Sequence, residues 1–283
     1  MPIPSLPRER LVAFAYRMLG SRHDAEDVVQ EAFSRLHERE VSAADPARYA
    51  FRVVANLCVD RLRAEQVRRR MYFGPWLPEP WLEEATPVDV AELAEDLSVA
   101  LLLLLERLSP AERVVFVLRE AFDLSFDEIA DVLGVSAAAC RQRFARAKTH
   151  MKDVPRKPAP VDAQRDLLTR LVAAITEGSV QSIVALLSSD AVLISDGGGE
   201  VTAAIRPVHG VERIAAVLAH TGRKALVEGA LDVRFENVNG GWGLTLLQHG
   251  KPHSCITIAA DGEHIDAIFI MRNPKKLVPL ERV

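Results

Sequence analysis

The sequence predicts three domains in a row, two built only of helices and a third that combines helices with a sheet. Through the first half, apolar residues recur at intervals of three and four, which is the period of an α-helix. Beyond residue 190 they form short, often alternating runs separated by Gly, Asn-Gly and Asp-Gly, a pattern typical of strands and hairpins. We therefore expect a multidomain protein with two all-α domains and a C-terminal α+β domain containing a curved antiparallel sheet.

Composition sets limits on the class of protein. The chain has 283 residues, of which 49% are hydrophobic and 26% charged, so it can bury two or three small cores. Its net charge is -4, and residues 76–100 hold seven Asp or Glu and no Lys or Arg. The helical segments on either side are mildly basic. Such weak basicity argues against tight nucleic-acid binding by this chain alone and favours binding together with a larger charged partner.

The three cysteines and the apolar runs indicate a cytoplasmic protein. Cys58, Cys140 and Cys255 are far apart on apolar faces and fit no metal-binding spacing, so we expect buried thiols and no metal. No signal peptide opens the sequence, and the longest apolar run, from Val99 to Leu105, is too short to span a membrane. We expect a reducing, cytoplasmic environment and no membrane contact.

The first helical domain covers residues 1–71. One stripe of apolar residues, including Leu11, Phe14 and Met18, predicts a helix that ends at Gly20, and a second stripe runs from Ala25 to Leu36. Asp45 as a cap and Pro46 in the first helical position start a third helix, which continues to about Arg70. We expect these three helices to pack together.

A proline-rich, acidic linker covers residues 72–98. Four prolines interrupt the helical pattern there, and an acidic stretch follows them. Trp76 and Trp81 are costly to leave in water, so we expect the linker to dock on a neighbouring domain. An unstructured tether is the alternative.

The second helical domain, residues 99–153, contains a predicted helix-turn-helix. Ser109-Pro110 is a typical helix start, and the motif itself follows at residues 124–151. Ala130 permits close helix packing, Gly134 suits a turn with positive φ, and Cys140 returns to the core. A plain amphipathic helix with a solvated basic face is the alternative.

The second helix of this motif has the composition of a DNA-reading helix. Small residues at its start allow close approach to the groove, and Arg or Gln side chains are able to read base edges. Arg146 and Lys148 are better suited to phosphate contacts, which position the helix without reading sequence. The predicted DNA-contacting residues are Ser136, Ala137, Ala138, Arg141, Gln142, Arg143, Arg146 and Lys148.

The third domain follows a second linker at residues 154–161 and covers residues 162–283. A helix is predicted from Gln164 to Glu177, and five short strand-like runs come after it. Asn239-Gly240 and Asp261-Gly262 are hairpin turn signals within this part of the chain.

The first two domains resemble a known family. DAEDVVQEAFSRL, RVVANLCVDRLR and LSPAERVVFVLREAFDLSFDEIADVLGVS are similar, in this order, to the two conserved regions of extracytoplasmic-function (ECF) sigma factors of the sigma-70 family. The resemblance implies that residues 1–71 are region 2 and residues 99–153 are region 4. It also implies promoter-specific transcription initiation with core RNA polymerase and promoter DNA as partners.

The resemblance assigns roles to particular residues. An acidic face on the second helix, suited to a charged helical partner, would bind the clamp helices of the largest polymerase subunits. The third helix would contact the -10 element, with the loop from Arg39 to Ala47 and Asn56 helping to capture a flipped base. The helix-turn-helix would bind the -35 element. The core-binding residues are Asp24, Asp27, Gln30 and Glu31, and the -10 residues are Arg48, Arg52, Asn56, Arg61 and Arg63.

The third domain resembles the SnoaL-like domain fused to one group of these sigma factors. The resemblance is carried by WLPEP at residues 76–80, ISDGGGEVTAAIRPVHG and IFIMRNPKKL. It implies a cone-shaped α+β fold and a built-in regulator that packs on the sigma domains. The group has Lys where Glu200 stands and Asp where Lys275 stands, so the charges differ here. The predicted regulatory contact residues are Trp76, Leu77, Pro78, Asp196, Gly197, Gly198, Gly199, Asn273 and Pro274.

Two other functions compete with this interpretation. The chain could be a stand-alone helix-turn-helix regulator, which would leave the acidic helix and Asn56 unexplained. Its third domain could instead hold a ligand or a reaction in a pocket. We nevertheless predict no catalytic residue and no cofactor, and we expect the free chain to be a monomer. The candidate pocket residues are Asp196, His209, Trp242, His253 and Asp266.

Overall fold

The computed structural model describes residues 8–38, 46–82, 97–151, 160–227 and 231–280. These residues form two compact units. The first unit contains residues 8–71, residue 97 and residues 101–151, and the second contains residues 72–82, 98–100 and 160–280. In the described part of the chain, no helix combines the length and apolar character that a membrane crossing requires.

The first unit is entirely helical, as predicted. The long helix begins at Pro46 and runs to Arg70, in agreement with the sequence. The expected cap residue Asp45 and most of the loop from Arg39 to Ala47 lie outside the described residues. The helices are α1 (Arg8–Leu19), α2 (Arg22–Glu38), α3 (Pro46–Arg70), α4 (Val99–Leu105, which starts with two residues of the second unit), α5 (Pro110–Glu120), α6 (Phe126–Leu133) and α7 (Ala137–His150).

Helix α1 is more deeply buried than its sequence indicated. The predicted stripe of Leu11, Phe14 and Met18 is fully buried, but so are Tyr16 and the charged Arg17. The reason is that α1 packs against α2, α3 and α5 together and leaves almost no face for solvent. A single stripe would be enough for a helix at the surface of a bundle, whereas this helix lies at its centre.

The two predicted helical domains form one packed unit. The ring of Phe122, just after α5, lies between Phe14 of α1 and Phe51 of α3, with centroid distances of 5.6 and 5.5 Å. Both contacts have the edge-to-face geometry that aromatic pairs favour. The predicted segment boundary at residues 72–98 therefore does not separate the two sets of helices in space.

An ion cluster around the buried Arg113 strengthens the same interface. Arg113 of α5 is 3% exposed, and its Nη1 donates to the carbonyl oxygen of Met18 at 2.6 Å and to Glu106 at 2.8 Å. Glu106 also pairs with Arg69 of α3. Burial lowers the pKa of Arg113 to about 9 and that of Arg69 to about 10. Both side chains therefore stay charged at neutral pH, and the carboxylates of Glu106 and Glu65 compensate them.

The second unit is the expected α+β domain. Its sheet has the strand order β2-β1-β6-β5-β4-β3, and the type I′-like turn at Asn239 and Gly240, with φ of 56° and 76°, joins β3 to β4 as predicted. The elements are α8 (Val161–Glu177), α9 (Val180–Val184), β1 (Leu187–Asp196), β2 (Val208–His209), α10 (Val211–Val227), β3 (Leu231–Val238), β4 (Gly241–Gln248), β5 (Lys251–Ala260), β6 (Ile265–Met271) and α11 (Pro274–Leu277).

The sheet differs from the prediction in one pairing. Most neighbouring strands are antiparallel, but β1 and β6 pair in parallel, with Asp196 opposite Met271. Local sequence cannot show this, because β1 and β6 are separated by a helix and four other strands. The parallel register brings the end of β1 beside the end of β6, which positions the glycine run next to the C-terminal segment.

Apolar side chains of α8, α10 and the sheet form the core of this unit. Leu168 and Ile214 of the helices and Ile265 of β6 are fully buried. Leu244 of β4 and Ile268 of β6 belong to the same cluster. The opposite face of β5 and β6 is covered by residues from the linker, as described below.

Candidate nucleic-acid interface and linker contacts

The helix-turn-helix is built by local capping. Ser125 caps α6 and exchanges hydrogen bonds with Glu128, which forms a capping box. Gly134 ends α6 in the left-handed conformation at φ 66°, and Ser136 then caps α7 by accepting from the amide of Ala139. These three caps fix the turn, and they place the start of α7 at the surface.

Helix α7 presents the predicted DNA-contacting side chains to solvent. Cys140 and Ala147 are fully buried, while Ala138, Arg141, Gln142 and Arg146 are exposed. The guanidinium of Arg141 lies 5.7 Å from the ring centroid of Phe126, which braces it on the outer face. Ser136, Lys148 and the half-buried Ala137 and Arg143 complete the set.

Lys148 has an internal partner. Its Nζ lies 3.1 Å from a carboxylate oxygen of Glu120 and 5.3 Å from the ring centroid of Phe144. The lysine is 56% exposed, so this ion pair is weak and can exchange for a phosphate.

The predicted polymerase-binding face lies on α2 next to α3. Arg61, a predicted -10 residue, donates to Asp24 at 3.0 Å and lies 3.9 Å from Asp27. Glu31 pairs with Arg35 at 2.5 Å within α2. Asp27 and Glu31 remain 45% and 43% exposed, and Gln30 is exposed, so part of this acidic face is open to a partner.

The predicted -10 residues lie along α3. Asn56, Arg52 and Arg63 are exposed, whereas Arg61 is held by the acidic side chains of α2. The side chain of Arg48 lies outside the described residues. Arg52 lies against the turn of the helix-turn-helix. A Cβ atom added to Gly134 in this turn would be 3.0 Å from Nη2 of Arg52. The exposed face of α3 and the turn between α6 and α7 are therefore in contact.

Residues 72–82 of the linker dock on the second unit, so they are not an unstructured tether. The side chain of Asp196, fully buried at the end of β1, accepts from the amide of Leu77 at 2.9 Å and from the hydroxyl of Tyr72 at 2.6 Å. Lys276 of α11 donates to Asp196 at 2.8 Å and to the carbonyl oxygen of Leu77 at 2.6 Å. Asn273 donates to the hydroxyl of Tyr72 at 2.9 Å.

A second group of contacts holds the other end of the docked segment. The amide of Trp81 donates to the side chain of Asn239 at 3.3 Å, and the amide of Asn239 donates to the carbonyl oxygen of Trp81 at 2.9 Å. Leu82 forms a single antiparallel bridge with Val238 at the end of β3. We call the four residues Asp196, Asn239, Asn273 and Lys276 the linker cradle.

The comparisons with known proteins agree with one family along the whole chain. Residues 8–68 match the family model described as sigma-70 region 2, and residues 98–151 match sigma-70 region 4. The ECF RNA polymerase sigma factor SigJ of Mycobacterium tuberculosis is 35% identical over 95% of this chain and 90% of its own length.

The chain belongs to the ECF RNA polymerase sigma factors.

Solved structures support the same assignment. The crystal structure of SigJ from Mycobacterium tuberculosis matches with a TM-score of 0.78 at 31% identity and covers 96% of both chains. The probable ECF sigma factor SigI of the same species is 36% identical but covers only 64% of each chain. The similarity to SigJ therefore extends through the SnoaL-like domain.

The glycine run of this sigma factor closes on the C-terminal segment. Gly198 has φ 60°, and a Cβ there would lie 2.2 Å from the side-chain Nδ2 of Asn273. The amide of Gly198 donates to Asp196 at 2.9 Å. Asn273 also caps α11, whose first residue is Pro274. Gly197 and Gly199 complete the turn, and Pro78 is buried beside Leu77. The sequence prediction named these elements but not Lys276, Tyr72 or Asn239, and their regulatory role stays a prediction.

The two charge changes relative to the group pattern compensate each other. Lys275 Nζ lies 2.5 Å from a carboxylate oxygen of Glu200. The two positions at which the charges differ from the group pattern therefore form an ion pair with each other. It is exposed, 76% at Lys275 and 46% at Glu200, so it adds little stability.

The candidate pocket residues of the SnoaL-like domain have separate partners. Asp196 belongs to the linker cradle, His253 lies 3.0 Å from Arg272, and Arg165 covers the ring of Trp242 at 4.7 Å. His209 is exposed on β2, and Asp266 is half-buried on β6. Among the described residues, no group of three or more His, Cys, Asp or Glu side chains is arranged to hold a metal ion.

Proposed function

We propose that this protein binds core RNA polymerase through α2 and directs it to promoters that α3 and α7 recognise. The exposed start of α7 carries the proposal, because Ser136 and Gly134 present Arg141 and Gln142 at the end of a capped helix. That arrangement suits insertion into a major groove. In this role Arg141 and Gln142 read -35 bases, whereas Arg146 and Lys148 contact phosphates.

The charge of the chain fits an affinity supplied mainly by the polymerase. The net charge of -4 is unsuited to tight DNA binding by a free protein. A stand-alone regulator would need that affinity on its own, and it would have no use for the acidic face of α2. The exposed carboxylates of Asp27 and Glu31 instead suit a basic partner surface.

In the described conformation, which we call the closed state, α3 and α7 lie too close together to bind both promoter elements. Arg52 of α3 touches the turn that precedes α7. The -10 and -35 positions differ by about 25 base pairs, which is roughly 85 Å at 3.4 Å per base pair. Helices α3 and α7 therefore have to separate before both elements are bound. The Phe122 contacts and the Arg113–Glu106–Arg69 cluster hold the closed state.

The SnoaL-like domain acts as a regulator in this proposal and not as an enzyme. Asp196 is the most buried of its candidate catalytic carboxylates, and its oxygens are occupied by Lys276, Tyr72 and Leu77. A general base needs a free path to substrate, which this carboxylate lacks. The domain acts on the linker between regions 2 and 4, in the cytoplasm, where polymerase works.

The polymerase contact can be tested by reversing one charge on α2. Asp27→Arg should lower the affinity for core polymerase at least tenfold, which is about 1.4 kcal/mol, because it places a cation against a basic partner. Affinity is measured by pull-down and fluorescence anisotropy with purified core enzyme. Asp166→Arg on α8 is the matched control, since Asp166 is also an exposed helical carboxylate, 68% accessible. Equal affinity of both variants and the wild type would contradict the proposal.

A further inference from the structure

The geometry points to a peptide-binding site on the SnoaL-like domain, for which residues 72–82 are an exchangeable ligand. The site recognises an extended segment with the pattern aromatic, Leu, Pro. This inference concerns the domain itself and goes beyond polymerase and promoter binding. It does not need either of those activities to hold.

The site recognises the backbone of the segment at two places. At Leu77 the amide donates to Asp196 and the carbonyl accepts from Lys276, so both backbone polar groups form hydrogen bonds with side chains of the site. At Trp81 the amide and the carbonyl both bond to Asn239. Residues 75–81 form no helix or strand of their own, so the segment binds in an extended, irregular conformation. This is how domains bind extended peptides.

The site also recognises side chains. Leu77 is 2% exposed and Pro78 and Pro80 are buried, over a floor that includes Cys255, Thr257, Phe269 and Met271. The ring centroid of Trp76 lies 4.3 Å from Lys276 Nζ, and that of Tyr72 lies 4.9 Å from it. Two aromatic faces therefore enclose one ammonium group, which favours aromatic residues at these positions.

The buried ion pair makes an occupant necessary. Asp196 is 0% and Lys276 9% exposed, and both complete their hydrogen bonds with groups of the segment. A buried pair that loses such partners is strongly destabilised. A ligand must therefore supply an N–H, a C=O, a leucine-sized side chain and aromatic rings. Residues 72–82 supply all of them.

Covalent attachment explains why the segment of the same chain fills the site. A segment held within the chain has an effective concentration in the millimolar range. An added peptide of the same sequence competes poorly with it. When the attached segment is weakened by mutation, the added peptide should bind.

The test uses the full-length chain and a fluorescein-labelled peptide with the sequence of residues 71–83. The segment of the chain is weakened by Trp76→Ala together with Leu77→Asp. Fluorescence anisotropy should show saturable binding of the peptide to this variant, and binding at least roughly tenfold weaker to the wild type. A peptide that itself carries Leu77→Asp should not bind. Phe73→Ala is the matched control in the chain, because Phe73 lies in the same segment but is 63% exposed.

A second readout applies if the double variant does not fold by circular dichroism. The milder Trp76→Ala chain leaves Leu77 in place, and Cys255 on the floor of the site reports opening through its rate of alkylation. The peptide should slow that alkylation at least twofold. The inference is overturned if the peptide fails to bind the folded double variant, or if it leaves the alkylation of Cys255 in Trp76→Ala unchanged. These outcomes are independent of polymerase binding, so they are distinguishable from failure of the proposed function.

Discussion

The most informative single residues of this sigma factor are charged side chains that form ion pairs at two places where distant parts of the sequence meet. Lys276 and Asp196 lie under the linker, and Arg113 and Glu106 lie between regions 2 and 4. Ionised groups are costly to bury unless they are paired and hydrogen-bonded. Their positions therefore mark the two places where separate parts of the sequence are held together.

Replacing Lys276 should destabilise the protein far more than replacing its neighbour Lys275. Lys276→Met leaves the buried Asp196 without its cation, at a cost of about 3–5 kcal/mol in the free energy of unfolding. Lys275→Met removes only an exposed ion pair and should cost less than about 1 kcal/mol. Urea denaturation of the two variants measures the difference. Similar losses would show that Lys276 is not a paired buried charge.

Cys255 offers a pH-dependent probe of burial. Burial raises the pKa of its thiol from 9.0 to about 12 and that of Cys58 further still. The thiols should therefore resist alkylation at pH 8 in the folded protein and react after denaturation. The raised pKa also contributes stability that is complete below pH 9 and is lost as pH rises towards 12. Cys255→Ala should flatten that decline, measured by urea unfolding at several pH values. Rapid alkylation of native Cys255 would contradict its burial.

At the scale of elements, sequence was most informative where caps and turns act locally. Ser109 caps its helix as predicted, Ser136 caps α7, and Gly134 and Asn239-Gly240 adopt the positive φ that their turns require. The cap or turn that each of these residues forms involves its neighbours in sequence, so a few consecutive residues are enough to predict it. The same reasoning located most strands of the third domain.

Elements that depend on distant parts of the chain were not predictable in this way. The parallel pairing of β1 with β6 joins residues about 75 positions apart, and the contact of Lys276 with Leu77 spans 199 positions. Sequence motifs indicated that Asp196 and Asn273 matter, but not that a lysine three residues after Asn273 completes the site. A buried lysine cannot be told from a surface lysine by its neighbours in sequence.

In the whole molecule, the proposed opening of the helical unit would break the aromatic contacts of Phe122. Phe122→Ala should weaken the closed packing of regions 2 and 4, because Phe122 is 8% exposed between Phe14 and Phe51. Removing a core phenylalanine costs about 3–5 kcal/mol. Fluorescence energy transfer between labels on exposed positions of α3 and α7 should then report a longer mean distance.

Phe116→Ala is the control for that experiment. Phe116 stacks on Phe144 within region 4, with ring centroids 6.0 Å apart, and takes no part in the Phe122 cluster. Its removal should lower the stability of region 4 without lengthening the distance between α3 and α7. If Phe122→Ala leaves the distance unchanged in a folded protein, the aromatic cluster does not hold the closed state.

The most direct test of the central claim is run-off transcription with purified core polymerase and this chain. The account predicts a discrete transcript from a template with matched -10 and -35 elements, and none from core enzyme alone. Arg141→Ala should lose discrimination at one -35 base pair, worth about 1–3 kcal/mol, while Lys148→Ala should weaken all templates alike. Absence of any promoter-specific transcript in the presence of bound core enzyme would contradict the account, as would an equal loss on every -35 variant for Arg141→Ala.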